Sequence, residues 1–193
     1  MDDAELLAQY VATFSVFDEL AELDVAEELR TGVDAQNICY TWRPIAFKTD
    51  IASLKALYSD LGLSGKGDSR FPPLYETLIM SYRWADVDLD SHFLLGNEPA
   101  KDLSPLRDRI RRDKGLFTML SPNGYIQFGR PGGGNYDPVC FDIRRRQRNG
   151  ECRIVRIDHE DIFCRFRIRE TAELAPNFRS LVQKTIQEAK ERP

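Results

Sequence analysis

Apolar residues recur at three- and four-residue intervals from Asp3 to about Glu22, at Leu7, Tyr10, Val11, Phe14, Phe17 and Leu20, with acids on the other side. That spacing predicts an amphipathic helix. Asp24 followed by Glu27 has the form of a capping pair, so the helix is expected to break and restart there before Gly32 ends it. The stretch NICYTWRPIAF follows as a short irregular or extended piece, in which Pro44 argues against a central strand. DIASLKALYSDLG predicts a helix capped by Asp50, with Ile51, Leu54, Leu57, Tyr58 and Leu61 on one face and Gly62 at its end. After the polar loop SGKGDSR, the stretch FPPLYETLIMSYRWA places Pro72 and Pro73 where a helix begins and Leu74, Leu78, Ile79 and Tyr82 at helical spacing.

In DVDLDSHFLLG the period changes to two: Asp86, Asp88 and Asp90 point one way and Val87 and Leu89 the other, the pattern of a half-buried strand. SPLRDRIRRDKG reads as a short charged helix begun by Ser104 and Pro105 and closed by Gly115. Strands are expected at 116–120, 125–129, 139–145 and 152–158, and APNFRSLVQKTIQEAKERP closes as a helix with Phe178, Leu181, Val182 and Ile186 inward. Helices at both ends with strands between, and no βαβ alternation, predict an α+β domain with a mainly antiparallel sheet. Between two of the strands, RRRQRNGEC holds an Asn-Gly turn signal. A three-residue loop with Gly150 left-handed would pair Phe141 with Ile157 and Ile143 with Val155, keeping apolar residues together. Asp142 would then lie near the acidic turn after Asp158.

Composition changes this picture little. The 193 residues are 42% hydrophobic and 30% charged, which suits one compact domain spanning 1–193. The N-terminus lacks a basic start and apolar stretch, and no run is long enough to span a membrane, so a cytoplasmic protein is expected. Cys39, Cys140, Cys152 and Cys164 form no C-x-x-C pair, as expected of reduced cysteines. A net charge of -4 argues against a nucleic-acid partner. The charge is uneven: residues 1–29 hold nine acids and no Lys or Arg, whereas 142–169 hold nine arginines against five acids.

Candidate chemistry is sparse. The loop GRPGGGNYD lacks the lysine and the following helix of a phosphate-binding loop, so its glycines are expected to serve a tight turn. Asp158, His159 and Asp161, with Asp142 beside them, are the one dense group of ligand-type residues, and they define the alternative reading of a small metal-dependent hydrolase. The bland reading of the same letters is an acidic turn with Asp158 capping a short helix. His92 reads as a packed residue. No nucleophile or cofactor signature occurs, so neither an enzyme nor a cofactor is expected.

The order of FPPLYETLIMSYRW, then YIQFGRPGGGNYDPVCFD, then RIVRIDHEDI resembles the SUKH superfamily of Smi/Knr-like domains. The likeness covers residues 42–188 and leaves 1–32 as an acidic helical extension outside it. Asn135 departs from the acid that members often carry after the double glycine. The resemblance implies an α+β fold with a curved antiparallel sheet and helices packed on one side. It also implies a non-enzymatic protein-binding role: immunity proteins that neutralise a delivered nuclease or deaminase toxin in the bacterial branch, regulatory scaffolds elsewhere. The expected partner is a protein, a basic toxin domain met by an acidic surface, with the chain itself a monomer or weak homodimer. Charge pattern nominates Asp86, Asp88, Asp90, Glu98 and Asp102 for that contact, with Arg130, Asn135 and Tyr136 on the glycine loop best able to reach out.

Overall fold

A computed structural model describes the chain except at residues 1, 19, 22–24, 35–37, 68 and 193, and describes residues 20–21 by their backbone alone. Helix α1 (Asp3–Ala12) is capped by Asp2, whose side chain accepts from Glu5 N at 2.8 Å. The Thr13 hydroxyl then donates to the Tyr10 carbonyl at 2.7 Å, and the chain restarts as α2 (Phe14–Phe17). Such back-bonding bends a helix. The expected single helix is therefore two, and it stops at Phe17. Glu19, Glu22 and Asp24, and with Asp24 the expected capping pair, lie outside the described residues.

Gly32 ends no helix; it lies within strand β2 (Arg30–Val33), which follows β1 (Leu20–Ala21). Strand β3 (Tyr40–Trp42) sits between these two in a small sheet, so NICYTW does supply a central strand. Pro44 falls after its last residue, where a missing N–H breaks no ladder bond. Strand β4 (Ile45–Ala46) pairs instead with β5 (Tyr82–Arg83).

Helices α3 (Ile51–Asp60) and α4 (Pro73–Ser81) form as their spacing predicts, α3 with Asp50 accepting from Ser53 N at 2.7 Å. Ile51 departs from the expected inward face and is 60% exposed. In DVDLDSHFLL the alternation holds, Val87 and Leu89 being buried and Asp88 half-buried, but Asp90 takes φ 58° and turns the segment into a hairpin of β6 (Val87–Asp88) and β7 (Phe93–Leu94). Helix α5 (Ser104–Arg111) is followed closely by another helix. Residues 116–120 are not a strand but part of α6 (Lys114–Leu120), started by the Asp113 carboxylate on Leu116 N at 3.0 Å. Leu116 and Leu120 lie one helical turn apart and both are buried.

Strands β8 (Tyr125–Arg130), β9 (Val139–Arg146) and β10 (Cys152–Ile157) form where expected, followed by α7 (His159–Arg165), β11 (Glu170–Ala175) and α8 (Phe178–Glu191). From β6 to β11 the strands lie side by side in chain order, each antiparallel to the next, in a six-stranded meander. The fold is α+β.

The hairpin register is right at the tip and wrong beyond it. Gly150 is left-handed at φ 83° and Cys152 lies opposite Arg146, as a three-residue loop requires. A register shift then sets Phe141 opposite Ile154 and Cys140 opposite Val155, not Phe141 opposite Ile157. The extra residues of β9 bulge around Asp142, whose fully buried carboxylate takes Arg144 Nε at 2.8 Å and Arg153 Nη2 at 2.7 Å.

Apolar side chains leave both faces of the meander. Ile126, Phe128, Phe141 and Ile154 join Leu6, Tyr10 and Phe14 of α1 and α2, Tyr75 of α4 and Phe178 of α8 in the main core. Tyr125, Cys140, Val155 and Ile157 face the other way and are covered by Leu116 and Leu120 of α6 and Ile162 of α7. Helices therefore pack on both sides of the sheet, not one. The N-terminal segment is no appendage either: Phe14 packs edge-on to Tyr10 and Trp84, and Arg192 after α8 binds Asp90 and donates to the Val16 carbonyl at 3.3 Å.

Candidate functional site

The glycine loop between β8 and β9 lies against the β6–β7 hairpin, and this contact builds the site. Gly133 and Gly134 are left-handed, at φ 73° and 80°. Gly132 is needed for a different reason, because a Cβ there would stand 2.6 Å from the Asp90 carbonyl oxygen and 2.9 Å from Asp88 Oδ1. The loop backbone thus seats directly on the acidic turn. Between them opens a hollow of about 260 Å³ lined by Asp88, Phe93, Arg130, Pro131, Asn135 and Tyr136.

Asp88 and the three loop residues, nominated separately from the sequence, meet here. Asp88 accepts from Asp90 N at 3.1 Å, and its own N–H donates to Asp18 Oδ2 at 3.3 Å. Burial, with the Asp88 charge added, raises the Asp18 carboxyl above its usual range. Asn135 shapes the loop by accepting from Asp137 N at 2.8 Å. Tyr136 is 66% exposed, with the Arg130 guanidinium 6.0 Å from its ring centre. A ring held at a rim beside an arginine is the composition of an interface anchor.

The remaining nominated acids are elsewhere and already engaged. Arg109 bridges Asp86, at 2.9 Å, and Glu98, and Asp86 also accepts from Gly96 N. Asp102 accepts from Ser104 N at 2.9 Å as α5 begins, and the Ser104 hydroxyl together with that N–H draws its carboxyl down. These three have structural work and do not share a face with Asp88 through any contact described. Asp90 remains at the site, paired with Arg192 yet still exposed.

The four residues of the metal reading do not come together. Asp142 is held by Arg144 and Arg153, as above. Asp161 is 2% exposed and surrounded by Arg165, Arg167 and Arg169; burial alone would raise its carboxyl, but these hydrogen bonds hold it at about 2. The three arginines converge on this one carboxylate, and Phe166 between them points outward. The group that does gather is Asp137, Asp158 and His159, with ligand atoms within 4.8 Å of one another. Its atoms are spent on each other and on arginines. Asp137 Oδ1 meets His159 Nδ1 at 2.7 Å, and Asp158 caps α7 through Asp161 N at 3.0 Å while pairing with Arg169. Among the described residues no hydroxyl or thiol is hydrogen-bonded to His159 Nε2. The pair serves to tie the glycine loop to α7.

His92 is a packed residue: burial pushes its imidazole down to about 4, with Tyr10 Oη at 3.4 Å and Ser91 Oγ at 3.0 Å. Cys140 and Cys152 are unpaired, and burial pushes both thiols up, Cys152 to about 12. No family model and no curated protein matches the sequence. Among the described residues, no helix is long and apolar enough to cross a membrane.

Proposed function

We infer that the protein is a non-enzymatic binding module of the immunity type, which captures a toxin domain and occludes its active site, as the SUKH resemblance implies. The observation that carries this reading is the convergence of Asp88, Arg130, Asn135 and Tyr136 on one open hollow. Tyr136 supplies a rigid anchor whose burial costs little rotamer entropy, Arg130 a planar donor, and Asp88 with Asp90 a local negative charge for a basic partner. Asp86, Glu98 and Asp102 drop out of the contact because none of them lines this hollow.

A gene for a large secreted protein with a C-terminal toxin domain is expected beside the gene for this chain. Inducing that domain in cells should arrest growth, wild-type chain should restore it, and Tyr136→Ala should protect at least tenfold less well at equal expression. Absence of any rescue removes the immunity reading. Full protection by Tyr136→Ala leaves the function and moves the contact away from this hollow.

A further inference from the structure

A second hollow, of about 330 Å³, opens between one face of α3 and the loop of residues 61–70. Its lining shares no residue with the glycine-loop site: Ile51, Leu54, Lys55 and Tyr58 come from the helix, and Ser64, Gly65, Lys66 and Arg70 from the loop. The loop is a built wall. Gly65 N donates to the Ser69 carbonyl at 2.8 Å, Ser69 N to the Lys66 carbonyl at 3.0 Å, and Ser64 N to Ser69 Oγ at 2.9 Å. Gly65 is left-handed at φ 67° and lies so close to the Tyr58 ring that a Cβ would come within 2.7 Å of it.

The charged side chains that line the hollow, Lys55, Lys66 and Arg70, are all cationic. Arg70 gives Nε, at 2.7 Å, and Nη2 to the buried Glu76, which also takes the Tyr58 hydroxyl. That grip fixes the guanidinium and leaves Nη1 to donate. Among the described residues no carboxylate pairs with Lys55 or Lys66. The floor is apolar, formed by Leu54 and Tyr58 with the 60% exposed Ile51 at its edge. The volume falls in the range of small-molecule sites.

We propose that this hollow binds an organic phosphate, a phosphomonoester carried on an apolar body. Lys55 and Lys66 supply the charge for a near-dianionic phosphate at neutral pH, and Arg70, its charge held by Glu76, adds Nη1 as a third donor to the three phosphoryl oxygens. Ile51, Leu54 and Tyr58 receive the body. A carboxylate would offer one oxygen too few and half the charge.

Titration of the full chain with phenyl phosphate, followed by amide chemical shifts and calorimetry, tests this. Shifts should concentrate in residues 51–70, and phenyl phosphate should bind at least tenfold more tightly than inorganic phosphate. The exposed double variant Lys55→Gln/Lys66→Gln should lose at least tenfold in affinity, and Ile51→Ser should bring phenyl phosphate down toward inorganic phosphate. Equal affinity for the two anions, indifference to the lysine variant, or shifts elsewhere would each overturn the proposal.

Discussion

At Phe166 the backbone is left-handed, with φ 52° and ψ 37°, and the side chain is 80% exposed. The position is the C-terminal cap of α7, where the Phe166 N–H reaches the Ile162 carbonyl at 3.1 Å and Arg167 N–H the Asp161 carbonyl at 3.2 Å. Glycine is the usual occupant of such a cap because it has no Cβ to strain. A phenylalanine there costs roughly 1–2 kcal/mol of backbone strain and recovers little by burial. Phe166→Gly should therefore raise stability by about 0.5–1 kcal/mol, after allowing for the greater freedom of glycine in the unfolded chain. Urea unfolding measures it, and a loss of stability would show that the ring makes contacts which outweigh the strain. Other single residues were legible beforehand, notably the caps at Asp50 and Asp158. Phe166 was not, because its place in RFRIR fits a strand, and only the convergence of three arginines on Asp161 decides otherwise.

Among the elements, periodicity located α3, α4, α5, α8 and strands β8 to β10, since each buries one stripe or alternates over several residues. It failed at α6, where Leu116, Phe117, Met119 and Leu120 crowd into five residues and suit either period, and where Gly115, expected to close the helix begun at Ser104, lies inside the next helix instead. It failed again at the β9–β10 register, for a tertiary reason. The bulge in β9 exists where Asp142 goes inward to meet Arg144 and Arg153, a pairing that apolar alternation cannot encode. Asp142→Asn keeps the shape but removes the charge, leaving two guanidinium groups without their shared anion. Arg144 is 43% exposed, and it and Arg153 already share Glu170 as a second anion, so the expected cost is about 2 kcal/mol, below that of a fully buried pair. Burial pushes the Asp142 carboxyl up, yet the two arginines bring it below its usual value. A depressed carboxyl stabilises the fold above the unfolded value, about 3.9, and that stabilisation is lost as pH falls through the folded value. The difference between wild type and Asp142→Asn in urea should hence be full at pH 7 and shrink below about pH 4; a difference independent of pH would mean the charge is not what holds the bulge.

For the whole molecule, the sequence suggested a module of residues 42–188 carrying an acidic helical extension, and packing contradicts that division. Leu6, Leu7, Tyr10, Val11 and Phe14 are all buried in the same core as Phe128, Phe141 and Phe178. Tyr10 lies edge-on to Phe178 at 6.1 Å, and Asp3 pairs with Arg179 across the two terminal helices. The uneven charge is not what joins the ends: the arginines of 142–169 pair with nearby acids such as Asp142, Asp158, Asp161 and Glu170, and the termini meet through apolar packing and the Asp3–Arg179 pair. Burying one such side chain contributes about 1.5–3 kcal/mol, so five of them together contribute on the order of 10 kcal/mol, comparable with the whole stability of a typical domain. Removing residues 1–18 should leave a protein that keeps much of its far-ultraviolet circular dichroism, loses the near-ultraviolet signal of its packed aromatics and binds hydrophobic dyes. A truncated chain that still unfolds cooperatively, within about 5 °C of the full chain's Tm, would restore the extension model and mean that α8 and the meander close their core without α1. Loss of α1 and α2 would also strip Asp18 from beside Asp88 and the carbonyl partners from Arg192. The glycine-loop hollow and the N-terminal helices are accordingly expected to fail together, so that the protection proposed above should fall in step with the near-ultraviolet signal.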